Sequence, residues 1–509
     1  MFIACLLVAG MATAQDSPPN VLILYTDEHR FDCLGAMGND EIDTPHLDAL
    51  AADGVLYRNS FCVWPVCTPS RLPLLTGQYV HQHGGRSNRS TLPPAIPTFA
   101  TILRDAGYST AAVGKMHFTP AYQDVGFSEM VLAEQNGRGR NVDDYHRYLK
   151  DKGLINANDL IDQERQYRLM APEEYWATFG AQVSDLPDEH HITTWVGDRA
   201  ISVISDWESD SPNLLMVGFL KPHHPFDPPA PWDEYYDPKD MSPLPGWTDS
   251  VPAHDLARSR GYFNNPTLTR EALQRVTAYY YATITHVDRH VGRIIEELKR
   301  RDLYDETLII FTSDHGEYLG FHHMLTKGNH LYDPLAKVPL IIKFPRQRFK
   351  GMISDDLVNT LDVTATILRE AGQKLAPDMR GSRLGGAGPG HEDARAWVIA
   401  QDSRSIMVRS RERKLILDQD AARSLFFDLS KDPYELTNRI NEPDYAEEVA
   451  LFKDTALSWF LNESQRATFV DENVPLADSS DIPRDLDVAE REMLEYFDRK
   501  VKSRLDRNE

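Results

Sequence analysis

The sequence is poor in cysteine, short of basic residues and almost without long apolar runs. Its 509 residues include only four cysteines. Lysine and arginine number 54 against 77 aspartates and glutamates, which gives a formal net charge of -23 at pH 7. We therefore expect no nucleic acid partner, because a phosphate backbone would be repelled. A local basic pocket remains compatible with an anionic substrate.

The one pronounced apolar run lies at the N-terminus. The stretch MFIACLLVAGMATAQ places Ala12-Thr13-Ala14 after apolar residues, a pattern typical of a cleaved signal peptide, although basic residues at its start are missing. We predict a signal peptide over residues 1–14 and an exported protein, periplasmic or secreted, with a first buried strand as the alternative. No later stretch is long and apolar enough to span a membrane, so no membrane span is expected.

Removal of that segment leaves three cysteines, Cys33, Cys62 and Cys67. An odd number is not a disulfide framework, and a bridge between Cys33 and Cys62 is possible but not required. Cys67 would then be unpaired in an oxidising compartment. It lies in the stretch VCTPSRLPLLTG, residues 66–77, where the simplest interpretation is a small buried residue beside a helix start.

Four apolar runs along the chain each end in polar side chains. Continuous runs of this kind are typical of strands buried on both faces of a parallel sheet. Helical patterns such as TFATILRDAGY lie between them, which predicts an α/β three-layer sandwich with a mostly parallel central sheet. Ligands bind beyond the carboxyl ends of such strands, so the polar endings predict a shared site. The runs are NVLILYTDEHR, YSTAAVGKMHF, NLLMVGFLKPHHPF and ETLIIFTSDHGEYLG.

The chain changes character near residue 375. The segment PDMRGSRLGGAGPGHEDA indicates a linker or surface loop. The short apolar runs RAWVIAQD, RSIMVRS, RKLILDQ and SLFFDLS then predict a smaller antiparallel sheet, and two helical patterns follow. We expect a catalytic domain over residues 18–375 and a C-terminal subdomain with terminal helices over residues 390–509.

The stretch from Cys67 to Gly77 resembles the signature of the sulfatase family, C-x-P-S-R-x-x-L-L-T-G, at every specified position. The G-K-x-H of Gly114–His117, the H-x-P of His223–Pro225 and the D-H-G of Asp314–Gly316 are also similar to that family. The resemblance extends along most of the chain. It implies an alkaline phosphatase-like fold, a smaller C-terminal antiparallel domain and the hydrolysis of sulfuric esters.

The resemblance also implies a nucleophile and a metal. Cys67 would be converted to Cα-formylglycine by a formylglycine-generating or anaerobic sulfatase-maturing enzyme, and the hydrated aldehyde would attack sulfur. Hard oxygen donors favour Ca²⁺, with Mg²⁺ as the alternative. Glu28 stands where Asp is more usual, and His315 where Asn is frequent, which leaves the metal open. The expected ligands are Asp27, Glu28, Cys67, Asp314 and His315.

Fixed positive charge and proton transfer complete the implied site. Arg71 would orient the nucleophile, while Lys115 and Lys327 would bind sulfate oxygens. His117 would support the steps at the hydrated aldehyde, and His223 would protonate the departing alcohol. Taken singly, Lys327 is compatible with a surface lysine, and each histidine with an ordinary core residue.

The stretch KPHHPF at residues 221–226 resembles iduronate-2-sulfatase and bacterial polysaccharide sulfatases, which favours a sulfated carbohydrate substrate. Lys221 within it is expected to be structural or to face substrate. One rival function is a phosphonate or phosphodiester hydrolase on the same scaffold, and another is a non-catalytic glycan-binding protein. Four further histidines are candidates for the pocket mouth or ordinary loop positions: His83, His322, His323 and His330.

Overall fold

The computed structural model describes residues 18–208, 211–256, 262–328, 330–385, 395–463 and 484–505. The predicted signal peptide, residues 1–14, and much of the glycine-rich segment near residue 390 lie outside the described residues. Within them, no helix combines the length and the apolar character needed to cross a membrane.

Twelve strands in the described ranges form two sheets. Their bounds are β1 Asn20–Asp27, β2 Val55–Phe61, β3 Ser109–Gly114, β4 Glu129–Leu132, β5 Asn213–Pro222, β6 Thr307–Ser313, β7 Leu340–Lys343, β8 Met352–Asn359, β9 Val398–Gln401, β10 Ser405–Arg409, β11 Arg413–Asp418 and β12 Leu425–Asp428. The larger sheet has the order β4-β3-β5-β1-β6-β7-β2-β8, and the smaller one β12-β11-β10-β9. In the larger sheet only β7 is antiparallel to its neighbours, so the predicted mostly parallel sheet is confirmed.

The α-helices connect these strands and cover both faces of the larger sheet. Their bounds are α1 Pro45–Asp53, α2 Cys67–Thr76, α3 Val80–His83, α4 Phe99–Asp105, α5 Gly137–Val142, α6 Asp144–Lys152, α7 Ala157–Gln163, α8 Arg165–Arg168, α9 Glu173–Ala177, α10 Ile192–Ser205, α11 Ala253–Leu256, α12 Arg270–Arg300, α13 Asp333–Ala336, α14 Thr360–Glu370, α15 Ala446–Glu463 and α16 Arg484–Leu505.

Strand β1 shows why the molecule has three layers. Its side chains alternate between the two faces of the sheet, and both sets are apolar and buried. Val21, Ile23 and Tyr25 pack in the core beneath α2, α4 and α14. Leu22 and Leu24 pack in the opposite core with α1, α10 and α12. The three-layer α/β prediction is therefore confirmed.

The four strands predicted from the sequence are neighbours in the sheet, in the order β3-β5-β1-β6. They run parallel, so their polar endings meet at one edge. The polar endings predict a shared edge, and the adjacency of the four strands explains how they share it.

The smaller sheet is antiparallel, as predicted. Val398 and Phe427 from this sheet share a buried apolar cluster with Phe61 and Tyr318. Helix α15 covers its other face. Helix α16 instead packs near α5 and α7, where the hydroxyl of Tyr496 donates to the carbonyl of Leu154 at 2.5 Å. The domain boundaries proposed above stay a prediction.

The described cysteines Cys33, Cys62 and Cys67 are all buried and free. The bridge that the sequence left open is therefore not formed between Cys33 and Cys62.

Helices α10 and α12 approach closely at His290. A side chain at Gly197 would clash with the His290 ring, since a Cβ there would lie 2.4 Å from Nδ1. Nε2 of His290 lies 3.2 Å from the Thr194 hydroxyl, and Nδ1 accepts from Arg293 at 3.1 Å. Burial, together with the nearby charges of His286 and Arg293, lowers the pKa of His290 to about 3.

This lowered pKa predicts acid sensitivity. In the unfolded chain His290 takes up a proton near pH 6.5, whereas in the folded protein it does so only near pH 3. Protonation therefore favours the unfolded chain, and stability is lost as the pH falls. Between pH 7.5 and 5, the wild type should lose about 2 kcal/mol more free energy of unfolding than His290→Gln. Urea unfolding at both pH values measures this difference, and equal losses in the two proteins would contradict it.

Candidate active site

The predicted site residues meet at the carboxyl edge of the larger sheet. Most of them lie just after a strand or on helix α2, and Lys327 lies in the loop between β6 and α13. Asp27 ends β1, Asp314 and His315 follow β6, Lys115 and His117 follow β3, His223 follows β5, and Cys67 and Arg71 lie on α2.

Helix α2 positions Cys67 at its first residue. Val66 before it is extended, with φ -148°, and the helix begins directly after. Pro69 fits in the first turn, because its missing N–H would have had no partner inside the helix. The helix ends at Gly77, whose φ of 61° is a left-handed conformation that glycine adopts without strain. Residues of the motif from Cys67 to Gly77 therefore also begin and end the helix that carries Cys67.

Cationic and anionic groups surround the Cys67 thiol. Its Sγ lies 3.5 Å from Nε2 of His315, 3.6 Å from Nζ of Lys327 and 3.8 Å from Oδ1 of Asp27. Burial raises the pKa of the thiol, but Lys327 and Lys115 outweigh burial and lower that pKa well below its ordinary value. The position therefore favours negative charge, as a sulfate group would require.

Arg71 holds two buried carboxylates side by side. Its Nε donates to Oδ2 of Asp314 at 3.1 Å, and one terminal nitrogen donates to Oδ2 of Asp27 at 2.9 Å. The other terminal nitrogen donates to the carbonyl of Lys115 at 2.8 Å, and the guanidinium lies over the ring of Tyr25. Arg71 therefore fixes the spacing of the two acids, and a lysine with one nitrogen could not do this.

Four residues could hold a divalent cation. Asp27, Cys67, Asp314 and His315 each offer one ligand atom, all buried and within 4.8 Å of one another. Burial alone lowers the pKa of the His315 imidazole. The nearby Asp314 and Cys67 outweigh burial and raise that pKa to about 9, so positive charge is favoured at this position. Two carboxylates and one imidazole fit the cation that the sequence predicts.

Glu28 is not one of those four residues, and its role as a metal ligand stays a prediction. Its φ of 64° turns the chain directly after Asp27. Oε2 of Glu28 lies 2.8 Å from Nζ of Lys327 and 3.1 Å from Nε2 of His223. The side chain therefore holds two of the predicted catalytic residues, Lys327 and His223. Burial raises the pKa of Glu28 to about 7.

Gln135 contacts two of the predicted site residues, Lys115 and His223, and was not itself predicted from the sequence. Its Oε1 accepts from Nζ of Lys115 at 2.5 Å, and its Nε2 lies 2.6 Å from Nδ1 of His223. Nε2 of His223 lies 2.7 Å from Nζ of Lys327. The signal was present but weak: β4 is a short strand beside β3, and it too ends in polar residues, Glu134 and Gln135.

Two buried glutamates support the loops around the site, and the sequence reasoning also missed them. Glu134 accepts from the backbone N–H of His117 at 2.8 Å, where φ is 60°. The His117 side chain helps to lower the pKa of the Cys67 thiol. Glu317 accepts from the backbone N–H groups of Leu319 and Thr326, just before Lys327. Glu317 follows Asp314 by three residues, so the acidic D-H-G-E pattern could have indicated it.

Lys221 is structural, one of the two outcomes expected. Its Nζ forms a buried ion pair with Asp227 and donates to the carbonyl of Pro225 at 2.7 Å. Of the histidines considered for the pocket mouth, His322 and His330 contact Asp255, and His323 contacts the carbonyl of Thr248. Nδ1 of His83 accepts from the backbone N–H of Gly85 at 3.1 Å.

A mostly parallel sheet with buried acids, cationic side chains and a cysteine at its carboxyl edge defines an α/β enzyme with an alkaline phosphatase-like fold. The family model described as "Sulfatase" matches residues 19–373, and the chain belongs to the sulfatase family. A second model, described as "N-sulphoglucosamine sulphohydrolase, C-terminal", matches residues 320–458. The predicted family and its enzyme class, sulfuric ester hydrolase, are confirmed.

Several proteins are similar over most of their length. An arylsulfatase of Clostridium perfringens is 29% identical, covering 85% of this chain and 92% of that protein. An N-acetylglucosamine-6-O-sulfatase of Bacteroides thetaiotaomicron is 25% identical, covering 91% of this chain and 90% of that protein. The crystal structure of a phosphonate monoester hydrolase of Agrobacterium radiobacter has a TM-score of 0.72 and 25% identity, covering 87% of this chain and 96% of that one. The fold prediction is confirmed by this last similarity.

The buried fork of Arg71 predicts a large stability effect. Replacing Arg71 by Met leaves Asp27 and Asp314 buried without their shared cation. The metal-free variant should lose about 3–5 kcal/mol in free energy of unfolding. Arg58→Met is the matched control, because Arg58 pairs with Asp355 at the exposed surface, where a loss of about 0–1 kcal/mol is expected. Urea unfolding in chelator measures both, and similar losses would contradict this account.

Proposed function

We propose that the chain removes sulfate from a sulfated carbohydrate, with matured Cys67 as nucleophile and a divalent cation, Ca²⁺ or Mg²⁺, beside it. The observation that carries the proposal is the convergence on the Cys67 thiol of His315, Lys327 and Asp27, all within 4 Å. A cysteine beside an ionised lysine and buried acids suits an anionic ester and the covalent chemistry of this family.

Cys67 is proposed to act as Cα-formylglycine, whose hydrated form supplies one hydroxyl to attack sulfur and a second to release the bound sulfate. The intact C-T-P-S-R motif supports this modification. It requires a formylglycine-generating or anaerobic sulfatase-maturing enzyme as partner during synthesis. Arg71 keeps the acids beside Cys67 fixed, and its own charge is already matched by Asp27 and Asp314.

The cation is proposed to bind to Asp27, Asp314, His315 and the side chain at position 67. It would supply Lewis acid stabilisation of negative charge on sulfate oxygens. Two carboxylate oxygens favour Ca²⁺ or Mg²⁺. Glu28 was expected among the ligands, and its contacts with Lys327 and His223 support a different role, holding these two side chains at the site.

Lys115 and Lys327 are proposed to bind the sulfate oxygens. Nζ of Lys115 lies 2.5 Å from Oδ2 of Asp27, and Nζ of Lys327 lies 3.6 Å from the Cys67 thiol. Both are held by buried partners, so they need little reorganisation when substrate arrives. The charge of Lys327 is secure, because Cys67 and Glu28 raise its pKa against the effect of burial.

His117 and His223 are proposed to move protons. His117 helps to lower the pKa of the side chain at position 67, which suits it to accept a proton from the nucleophile. Nε2 of His223 faces the same space as Lys327 and Glu28, and Gln135 and the His224 carbonyl contact its Nδ1. Nε2 of His223 is the atom placed for proton transfer to a departing alcohol.

A carbohydrate substrate is supported by similarity. The relative from Bacteroides thetaiotaomicron is named for a sulfated sugar, and the C-terminal model is named for N-sulphoglucosamine. A phosphonate monoester hydrolase remains the second candidate, because the solved structure with that activity is similar over 96% of its length. Export is proposed from the apolar N-terminal run ahead of Ala12-Thr13-Ala14.

The nucleophile is tested with paired cysteine variants. The chain is co-expressed with a maturation enzyme and assayed on 4-nitrophenyl sulfate, N-acetylglucosamine-6-sulfate and 4-nitrophenyl phenylphosphonate. Cys67→Ala should lower the rate by on the order of 10³-fold or more, because no nucleophile can form. Cys62→Ala, which changes another buried free cysteine five residues earlier, should keep the activity.

The three substrates distinguish the candidate functions. Faster turnover of the sulfates supports the sulfatase proposal, and preference for the phosphonate supports the second candidate. Binding of sulfated sugar without turnover, after confirmed maturation, would favour a glycan-binding protein. Equal activity of Cys67→Ala and Cys62→Ala would contradict the proposed nucleophile.

The general acid is tested through the leaving group. His223→Ala should slow release of a sugar alcohol by about 10²–10⁴-fold, because that poor leaving group needs a proton. 4-Nitrophenolate leaves readily without one, so its rate should fall much less. Steady-state kinetics on the two sulfate esters measure the ratio. A uniform loss on both would show that His223 acts in binding and not as the acid.

A further inference from the structure

A second cluster of ligand-type side chains surrounds Asp255, on α11 and away from Cys67. The carboxylate is fully buried. Its Oδ2 lies 2.9 Å from Nδ1 of His322 and 3.4 Å from Nε2 of His254. Its Oδ1 lies 3.3 Å from Nε2 of His330. We call these four residues the Asp255 cluster. Among the residues that the structure describes, Asp255 forms its ion pairs with these histidines.

The ring of His322 indicates that a cation belongs here. Its Nε2 lies 2.8 Å from the carbonyl oxygen of Tyr434, which can only accept, so Nε2 carries a proton. In a neutral ring, Nδ1 then presents a lone pair to a carboxylate oxygen 2.9 Å away. Two acceptors repel at this distance. Either a second proton or a metal ion must satisfy both.

The donor set is rich in nitrogen, and this favours a metal ion that binds imidazole well. Three imidazoles and one carboxylate make four donors, the number and type that Zn²⁺ takes in structural sites. Ligand atoms of His254, Asp255 and His322 already lie within 4.8 Å of one another. Nε2 of His254 is buried and makes no hydrogen bond. The Cys67 site differs, since carboxylate oxygens provide much of its donor set.

Partners outside the cluster hold its members in orientation. The hydroxyl of Tyr332 donates to Oδ1 of Asp255 at 2.7 Å, and the Tyr434 carbonyl fixes the ring of His322. Histidine and carboxylate ligands of zinc commonly have such contacts. The same contacts bring together α11, the loop after β6 and the segment after β12.

We propose that the Asp255 cluster binds a structural Zn²⁺, separate from the active-site cation. His322 and His330 flank Lys327 in the sequence, five residues before it and three after it. A metal bound to both would tie the loop that carries Lys327 to α11. Binding energy at such a site becomes folding energy for the segments that it joins.

The chain offers a matched pair of variants. His322 and His323 are adjacent, with φ of 52° and 62°, both in the left-handed region that asparagine tolerates better than most residues. Nδ1 of His323 lies 2.8 Å from the Thr248 carbonyl, and His323 is not part of the Asp255 cluster. Replacing each by Asn therefore changes one proposed ligand and one neighbour with equal backbone demands.

The experiment counts zinc on the full chain. The protein is stripped with a chelator, given excess Ca²⁺ and titrated with Zn²⁺ against a chromophoric competitor, with bound zinc measured by elemental analysis. Wild type and His323→Asn should bind one zinc per chain at this site, and His322→Asn should lose it. Tyr332→Phe should weaken binding by about 10–100-fold while keeping the ligands. Circular dichroism confirms that each variant is folded.

The variant Asp314→Asn distinguishes zinc bound in the active site from zinc bound at the Asp255 cluster. This variant should keep the zinc at the Asp255 cluster. No zinc on wild type, or equal zinc on His322→Asn and wild type, would overturn the proposal. The count does not depend on turnover, so its failure is distinguishable from a failure of the proposed sulfatase chemistry.

Discussion

The paired contact of Arg71 with Asp27 and Asp314 is the constraint on which the site depends. Two buried carboxylates at the ends of neighbouring strands would repel each other, and burial alone would protonate them. One planar guanidinium, itself fully buried, meets both acids and the backbone beside Lys115. The guanidinium therefore opposes the effect of burial on the pKa of both acids and keeps them spaced on the side that faces Cys67.

Other charges are arranged around that unit. Lys115 contacts Asp27 and Gln135, Gln135 contacts His223, and His223 contacts Lys327 and Glu28. Each cation has a buried partner, so the site is organised before substrate binds. The arrangement also explains why so many polar side chains can be buried at one sheet edge, because each is paired through its neighbours.

The sequence predicted the sheet edge because continuous apolar runs and their polar endings are properties of local stretches. Asp27, Lys115, His223 and Asp314 could be placed together on that ground. Gln135 could not, because β4 has only four residues and only one of them is buried. The ion pair of Glu28 with Lys327 could not be predicted either, since it depends on a left-handed backbone at Glu28 and on a lysine distant in the sequence.

The central claim is that Cys67 is the precursor of the nucleophile. The most direct measurement is the mass of the tryptic peptide from Asn59 to Arg71, taken from protein made together with a maturation enzyme. The account predicts formylglycine at position 67 and an unmodified thiol at Cys62. A persistent thiol at position 67 in folded protein, when the same enzyme matures a control sulfatase, would contradict it.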